Sequence, residues 1–354
     1  MTSPIDTGRV SGRIDTGHVS GRIDTGRVSG RIDTGRVSGR IDTVLVAYRS
    51  EGVIAPAVER ARSLGGTVVV VDHGDGASAA RAAAAGALAI HDPSNPGFGT
   101  GQNRGVAFTE SELVLLCNPD AEIAPEAVAA GAELLRNRPD VAMVQGAIVN
   151  RTTGEPERSA GVEVGPVHLL GRALGAKALL GVPAVASLAR RWPVLRDHAE
   201  RVPTGPTEVD SLAATAVLAR RSALDAVGGF DESYFLYGED LDLGSRLRAA
   251  GWKLLAVPEV WASHTSGGSA HSGWHREANW WRGTMQFGAG RWSGPAWAAA
   301  MLAAGIRWMR LAVRHPFHAP ETFAALVQDP WRRRRAAPAR QRVPLARHRS
   351  VPLH

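Results

Sequence analysis

The sequence predicts an α/β protein with a mainly parallel central sheet flanked by helices. Three observations carry that expectation. The runs Val44–Tyr48, Thr67–Val71 and Leu113–Cys117 are almost wholly apolar, without the alternation of a half-solvated sheet, so both faces of each strand need covering. Helical patterns rich in Ala and Leu separate the runs, as a parallel sheet requires. Acids follow two of them, Asp72 directly and Asp120 three residues on, at the carboxyl ends of strands where open sheets of this kind bind ligands.

The elements follow in order. A strand at Val44–Tyr48 leads to a helix at Ala55–Leu64, a strand at Thr67–Asp72, a helix at Ala79–Ala87 and a short strand at Ala89–Ile90. A helix at Gly101–Thr109 precedes the strand Leu113–Cys117, and Pro125 opens a helix to Arg136, Pro being pre-shaped for a first helical turn. Val141–Val149 reads as a further strand. Residues 152–208 are rich in Pro and Gly, with a helical pattern around Leu169–Leu188. A small-residue strand at Ser211–Leu218, helices at Arg221–Val227 and Asp240–Ala250, and a strand at Lys253–Val257 complete the sheet, with Gly251 closing the second helix. A Trp-rich region follows, with a helix at Trp297–Val313.

Residues 5–40 are four copies of a nine-residue repeat, Ile-Asp-Thr-Gly-Arg-Val-Ser-Gly-Arg, in which only His18 departs; a truncated copy, Ile41-Asp42-Thr43, runs into the first strand. Each copy has two Gly and two branched apolar residues, too little to bury a core, so disorder is expected. The chain therefore divides into the repeat at 1–42, an α/β domain at 43–270, a Trp-rich helical extension at 271–330 and an Arg/Pro-rich tail at 331–354, also expected to be disordered.

Composition narrows the function. Of 354 residues, 44% are apolar and 21% charged, which is ordinary globular usage. Cys117 is the single cysteine, which excludes a disulfide framework and a cysteine metal cluster. Much of the excess behind the net charge of +7 sits in Arg332–Arg335, Arg340, Arg342, Arg347 and Arg349. A basic tail suits an anionic surface, lipid headgroups or nucleic acid; nothing predicts a specific nucleic-acid reader. No run of 18 apolar residues occurs and the N-terminus lacks a signal-peptide core, so the expected location is the cytoplasm, peripherally at the inner face of the cell membrane.

Three local patterns carry chemistry. Asn95-Pro96-Gly97-Phe98-Gly99-Thr100-Gly101-Gln102-Asn103 is a Gly-rich loop running into a helix, suited to close approach of backbone to a diphosphate. Asn118-Pro119-Asp120 sets an acid just past a buried strand, where a divalent cation could bridge it to phosphate oxygens. Gly229–Leu243 packs five carboxylates, Asp231, Glu232, Glu239, Asp240 and Asp242, among Phe, Tyr and Leu. Acids so embedded either face water, meet a cation or shift their pKa towards proton transfer.

In this order and spacing the patterns resemble glycosyltransferase family 2, in particular its rhamnosyltransferase-like bacterial branch, over Val44–Ser269. The resemblance implies the GT-A fold, a nucleotide-diphosphate sugar as donor, Mg²⁺ or Mn²⁺ as cofactor, and inversion at the anomeric carbon. It implies a glycan or lipid-linked acceptor in cell-wall polysaccharide biosynthesis. Carried onto this chain, it has Asp72 contact the nucleoside, and Asn95, Gly97, Phe98, Gly99, Gln102, Asn103 and Asn118 line the donor pocket. Asp120 and His264 are the expected metal ligands, Asp240 the general base and Glu239 its catalytic neighbour. Other readings stay open. Asp72 caps a turn before Gly74, His264 is an interior histidine, and Glu239 and Asp242 orient the site from behind or are helix-start charges. The helix after Trp297 either packs on the domain or lies at a membrane surface with its Trp at headgroup level. A non-catalytic nucleotide or glycan binder would be expected to lose Asp240 or Asp120; a nucleotidyltransferase would carry a Gly-rich loop after the first strand, which Tyr48-Arg49-Ser50-Glu51-Gly52 does not provide.

Overall fold

β1 (Ile41–Ala47) is buried along its whole length, and its neighbours show why. In the computed structural model, which describes residues 39–157, 159–175, 203–264 and 273–336, β1 pairs in parallel with β2 (Gly65–Asp72) on one side and β4 (Leu113–Cys117) on the other. β3 (Leu88–His91) extends the parallel run beyond β2. β11 (Ala216–Arg220) turns antiparallel beside β4, β6 (Val141–Asn150) follows it, and β12 (Lys253–His264) lies parallel to β6. β5 (Ala121–Ile123) closes the order β3-β2-β1-β4-β11-β6-β12-β5. β7 (Pro156–Glu157) joins β6 and β9 (Thr207–Val209) joins β12, while β8 (Ala160–Gly161) and β10 (Ser211–Leu212) form a separate pair.

Both faces of the sheet are covered, as continuous apolar strands demand. One face meets α1 (Ile54–Arg62), α2 (Ala77–Ala84) and α4 (Pro125–Asn137) through Ile54, Val58, Ala82, Val128 and Leu135. The other meets α3 (Phe98–Val106), α6 (Arg221–Val227) and α7 (Glu239–Ala249) through Leu224, Phe230, Leu243 and Leu247. Neighbouring residues of one strand serve opposite cores, Val44 with the second group and Leu45 with the first.

A third core lies outside the sheet. It joins α5 (Pro166–Leu174), α8 (Gly273–Arg291), α9 (Gly294–Arg314) and the helical turn Ala324–Gln328, with the short α10 (Ala319–Phe323) and α11 (Asp329–Ala336) packed beside them. Trp281, Trp292 and Trp297 are buried here, so these rings are core residues of packed helices. Glu277 ties three helices together, accepting from Arg172 of α5, Trp281 of its own helix and Arg307 of α9. The same core takes in Tyr234 and Leu241, which lie on either side of Glu239 and Asp240 in the chain.

Several boundaries differ from the sequence reading. β1 starts at Ile41, inside the truncated repeat, because the Asp42 carboxylate is engaged: it accepts from Thr67 N–H at 2.7 Å and from the Glu110 and Ser111 N–H groups at 2.7 Å each. Ser211–Leu218 is two strands with a break between them. There Ala213 donates its N–H to Ser159 O and offers its carbonyl to Gln145, while Thr215 O accepts from Asn118 N–H. β12 runs on to His264 through register shifts around Pro258. α8 is not legible in the sequence because Gly283, Gly288 and several Trp interrupt any simple apolar stripe. Arg332–Arg335 belong to α11, so the segment expected to be disordered from 331 begins instead as helix; the remainder of that tail, the repeat at 1–38 and the second half of the 169–188 helical pattern lie outside the described residues.

Asp42 pins the amino ends of three parallel strands. Replacing Asp42 with Ala orphans three backbone N–H groups and is expected to cost about 3 kcal/mol. Denaturant unfolding should show a lower midpoint with an unchanged slope.

Candidate active site

The Gly-rich loop and the carboxylate segment, more than 120 residues apart, meet face to face, and Asn103 of α3 does the joining. Its Nδ2 donates to Phe230 O at 2.9 Å and to Glu232 Oε1 at 3.0 Å, and its Oδ1 accepts from Phe230 N–H at 2.8 Å, a partner 127 residues away. Phe98 N–H donates to Phe235 O at 2.9 Å at the start of the same helix. Gly97 (φ 118°) has no room for a side chain, since a Cβ there would stand 2.5 Å from Phe235 O. Gly99 packs on Phe230 and towards Glu239, a Cβ at Gly99 lying 3.6 Å from Glu239 Cβ. Asn95 adopts a left-handed conformation (φ 43°) where the chain turns into this loop. Gln102 is fully buried on α3, and its amide has no hydrogen-bond partner among the described residues.

The five acids meet three different fates. Asp231 and Glu232 face solvent. Asp242 is buried and meets two cations, Arg246 Nε at 2.6 Å and the guanidinium of Arg291 from α8. Glu239 and Asp240 have no such partner among the described residues. Burial pushes both above ordinary carboxylate values, and the nearby Asp240 charge pushes Glu239 further. Backbone N–H groups at the start of α7 pull Asp240 part of the way back, that of Leu241 at 2.8 Å. Asp240 keeps partial exposure while Glu239 is buried with Oε2 unpaired. The pair is thus a proton-holding site with one accessible member.

The backbone before α7 is tightly bent. Tyr237 (φ 66°) and Gly238 (φ 90°) are both left-handed, a conformation a non-glycine residue rarely holds without support. Gly283 of α8 supplies that support by close backbone approach; a Cβ at Gly238 would stand 2.5 Å from Gly283 O, and one at Gly283 would run into Tyr237 O. Sequence reasoning missed Arg246, Arg291 and Gly283. Arg246 is readable as the i+4 partner of Asp242 on one helix, whereas Arg291 and Gly283 sit on a helix whose approach no local pattern announces.

At the end of β2, Asp72 is fully buried and turned into its own loop. Its Oδ1 accepts from Gly74 N–H at 2.8 Å and its Oδ2 from Ala79 N–H at 3.0 Å. Past β4, the half-buried Asn118 shapes the turn with its backbone, donating to Thr215 O and accepting from Ala121 N–H. Asp120 and His264 come together across the β5–β12 pairing, His264 Nε2 lying 3.3 Å from Asp120 Oδ2. Glu157 of β7 takes the other ring nitrogen, Oε2 to Nδ1 at 3.0 Å. Burial depresses the imidazole, but the two carboxylates outweigh it and hold His264 above its ordinary pKa. A carboxylate oxygen and an imidazole nitrogen suit Mg²⁺ or Mn²⁺ as two ligands, with phosphate oxygens and water free to supply the others. Glu157 lies on the far side of the ring, and among the described residues no three such side chains are placed to hold one ion together, so the fit is to a two-residue site of that kind.

Residues 36–284 match the family described as glycosyltransferase like family 2, and the chain belongs to it. It is 28% identical over 224 residues to the N-acetylglucosaminyl-diphospho-decaprenol L-rhamnosyltransferase of Mycobacterium tuberculosis, covering 54% of this chain and 68% of that one. To the rhamnosyltransferase WbbL of Escherichia coli it is 38% identical over 88 residues, 21% of this chain and 33% of the other. Among solved structures, a mannosyltransferase of Pyrobaculum calidifontis in complex with GDP-Man and Mn²⁺ superposes with a TM-score of 0.48 at 16% identity, covering 83% of this chain and 87% of that one.

Glu239 binds its proton more tightly folded than unfolded, so its contribution to stability is whole below the ordinary glutamate value and is lost as pH rises towards about 8. Glu239→Gln, which cannot ionise, should flatten that decline. Melting temperature against pH from about 5 to 9, wild type against variant, measures it directly.

Proposed function

We propose that this chain is an inverting, metal-dependent hexosyltransferase that moves rhamnose or a similar hexose from a nucleotide-diphosphate donor to a hydroxyl of a cell-surface glycan or lipid-linked acceptor. The observation that carries the reading is the carboxylate pair at the start of α7, held against the Gly-rich loop with Asp240 accessible and Glu239 buried. The sugar class rests on the two rhamnosyltransferase relatives, and the lipid-linked acceptor on the name of the mycobacterial one.

Asp240 is the general base. The acceptor oxygen attacks the anomeric carbon from the face opposite the diphosphate; its proton passes to the Asp240 carboxylate as the new C–O bond forms and the bond to the diphosphate breaks. Glu239 stays protonated beside it, so Asp240 ionises without a second negative charge in contact. Asp120 and His264 would hold a divalent cation, which when bound would supply charge neutralisation for the diphosphate. The loop from Asn95 to Gly99 brings backbone close to the donor, Asn118 flanks it, and Asp72 acts on the nucleoside end by shaping the turn through Gly74.

Asp240→Asn keeps the shape and removes the base. Turnover should fall by about 10²- to 10⁴-fold. The Mn²⁺-dependent thermal stabilisation by thymidine, uridine or guanosine diphosphate, whichever serves the donor, should persist. Unchanged turnover would remove Asp240 from the role.

We also place the enzyme at an anionic membrane surface. Among the described residues no helix is long and apolar enough to cross a membrane. α9 instead presents Leu302, Met309 and Val313 outward along one stripe that ends beside exposed Arg314 in the chain, and Phe317, Trp331, Arg332 and Arg333 further along are exposed as well. Buried Trp281, Trp292 and Trp297 take no part. Flotation with phosphatidylglycerol vesicles should carry the wild type and leave a Leu302→Ser, Met309→Ser, Val313→Ser variant behind; equal flotation of both would remove this face from the account.

A further inference from the structure

His264 sits where three strands converge. It pairs with Asn150 of β6 on one side and with Ala121 of β5 on the other. The first neighbour leads through a tight hairpin to Glu157, and the second is preceded by Asp120. The hairpin is firmly built: Asn150 N–H donates to Glu155 O at 2.8 Å, and Asn150 Oδ1 accepts from the Thr152 and Thr153 N–H groups at 3.0 and 3.1 Å. With Oδ1 so engaged, the amide has one orientation, and Nδ2 donates to Glu157 Oε1 at 3.1 Å. Glu157 Oε2 is thereby aimed at His264 Nδ1, 3.0 Å away.

We propose that Glu157, held by Asn150, is a positioning residue that keeps the proton of neutral His264 on Nδ1 and turns Nε2 towards Asp120, so that the two protein ligands of the cation converge. The proposal rests on the reading of Asp120 and His264 as metal ligands given above. An ionised carboxylate accepts and cannot donate, so the ring nitrogen facing it must carry hydrogen. Asp120 Oδ2 faces Nε2 in the same way, so a cation arriving between them displaces the proton there and meets the lone pair, the form in which a neutral imidazole binds a metal. A carboxylate behind a metal-binding histidine both sets the ring direction and raises its basicity. Nothing in the local sequence announces this, since Glu157 lies 107 residues from His264 in a Pro- and Gly-rich stretch.

Glu157→Gln is the discriminating variant, because it keeps the shape and reverses the chemistry. With Asn150 Nδ2 still donating to the oxygen of the substituted side chain, the new amide nitrogen faces the ring, and Nδ1 must accept. The proton moves to Nε2, where the metal would bind. Titration of Mn²⁺ in the presence of a nucleoside diphosphate, followed by electron paramagnetic resonance, should show affinity lowered about 10- to 100-fold in this variant. Nucleotide binding without metal and the melting temperature should stay at wild-type values. ¹⁵N-histidine spectra of the protein with Mg²⁺ and the nucleoside diphosphate bound should show His264 protonated at Nδ1 in the wild type and that signature lost in the variant. Glu157→Ala, which removes the partner altogether, should also lose Mn²⁺ affinity and serves if the first variant does not fold. Mn²⁺ affinity close to that of the wild type in a folded variant, with an unchanged tautomer, would overturn the role of Glu157 alone. A wild-type protein that binds no Mn²⁺ would overturn the metal reading and this inference with it.

Discussion

Burying carboxylates is the constraint on which the rest of the molecule depends. Three of the five acids around the start of α7 lie in or against the protein interior, where an unpaired charge is costly. Asp242 is neutralised by Arg246 one turn along its own helix and by Arg291 from α8, so the helix that follows the sheet shares in seating this one. Glu239 and Asp240 are left without cations and hold a proton instead. The same desolvation that would destabilise them as structural charges suits them to the proton transfer proposed for Asp240.

That arrangement explains the C-terminal helices. They are the wall against which the carboxylate segment is set, and the third core reaches Tyr234 and Leu241, on either side of the pair in the chain. Gly283 lets α8 touch the bent backbone at Tyr237 and Gly238, and Glu277 with its two arginines keeps α5, α8 and α9 in register. Asn103 completes the enclosure from the opposite side. A residue expected to line a ligand pocket therefore also acts as a bridge between α3 and the segment that leads into α7.

His264 and its two acids extend the same logic to a second place at that edge. Strand pairing brings Asp120, His264 and Glu157 together from three separate segments, and hydrogen bonds decide which ring nitrogen each acid meets. The pairing is long-range throughout, so its chemistry is set by sheet register and not by any run of residues.

The sequence by itself determined the sheet, most of its helices and the family. Continuous apolar strands such as Leu113–Cys117 need cover on both faces, the Pro125 helix start is a local matter, and the Gly-rich loop and acidic segment are read without their partners. It also named the alternatives for the five acids, though not which acid would take which. Tertiary structure alone decided that. Arg291, Gly283 and Glu157 act through contacts with residues far along the chain, 107 positions away in the case of Glu157 and His264, and such contacts leave no periodic trace. Asp72, legible as a strand-end acid, spends both carboxylate oxygens on Gly74 and Ala79, because the loop after β2 folds back over it. Local propensity and hydrophobic pattern specify elements; the partner that fixes a buried charge is chosen only when the elements pack.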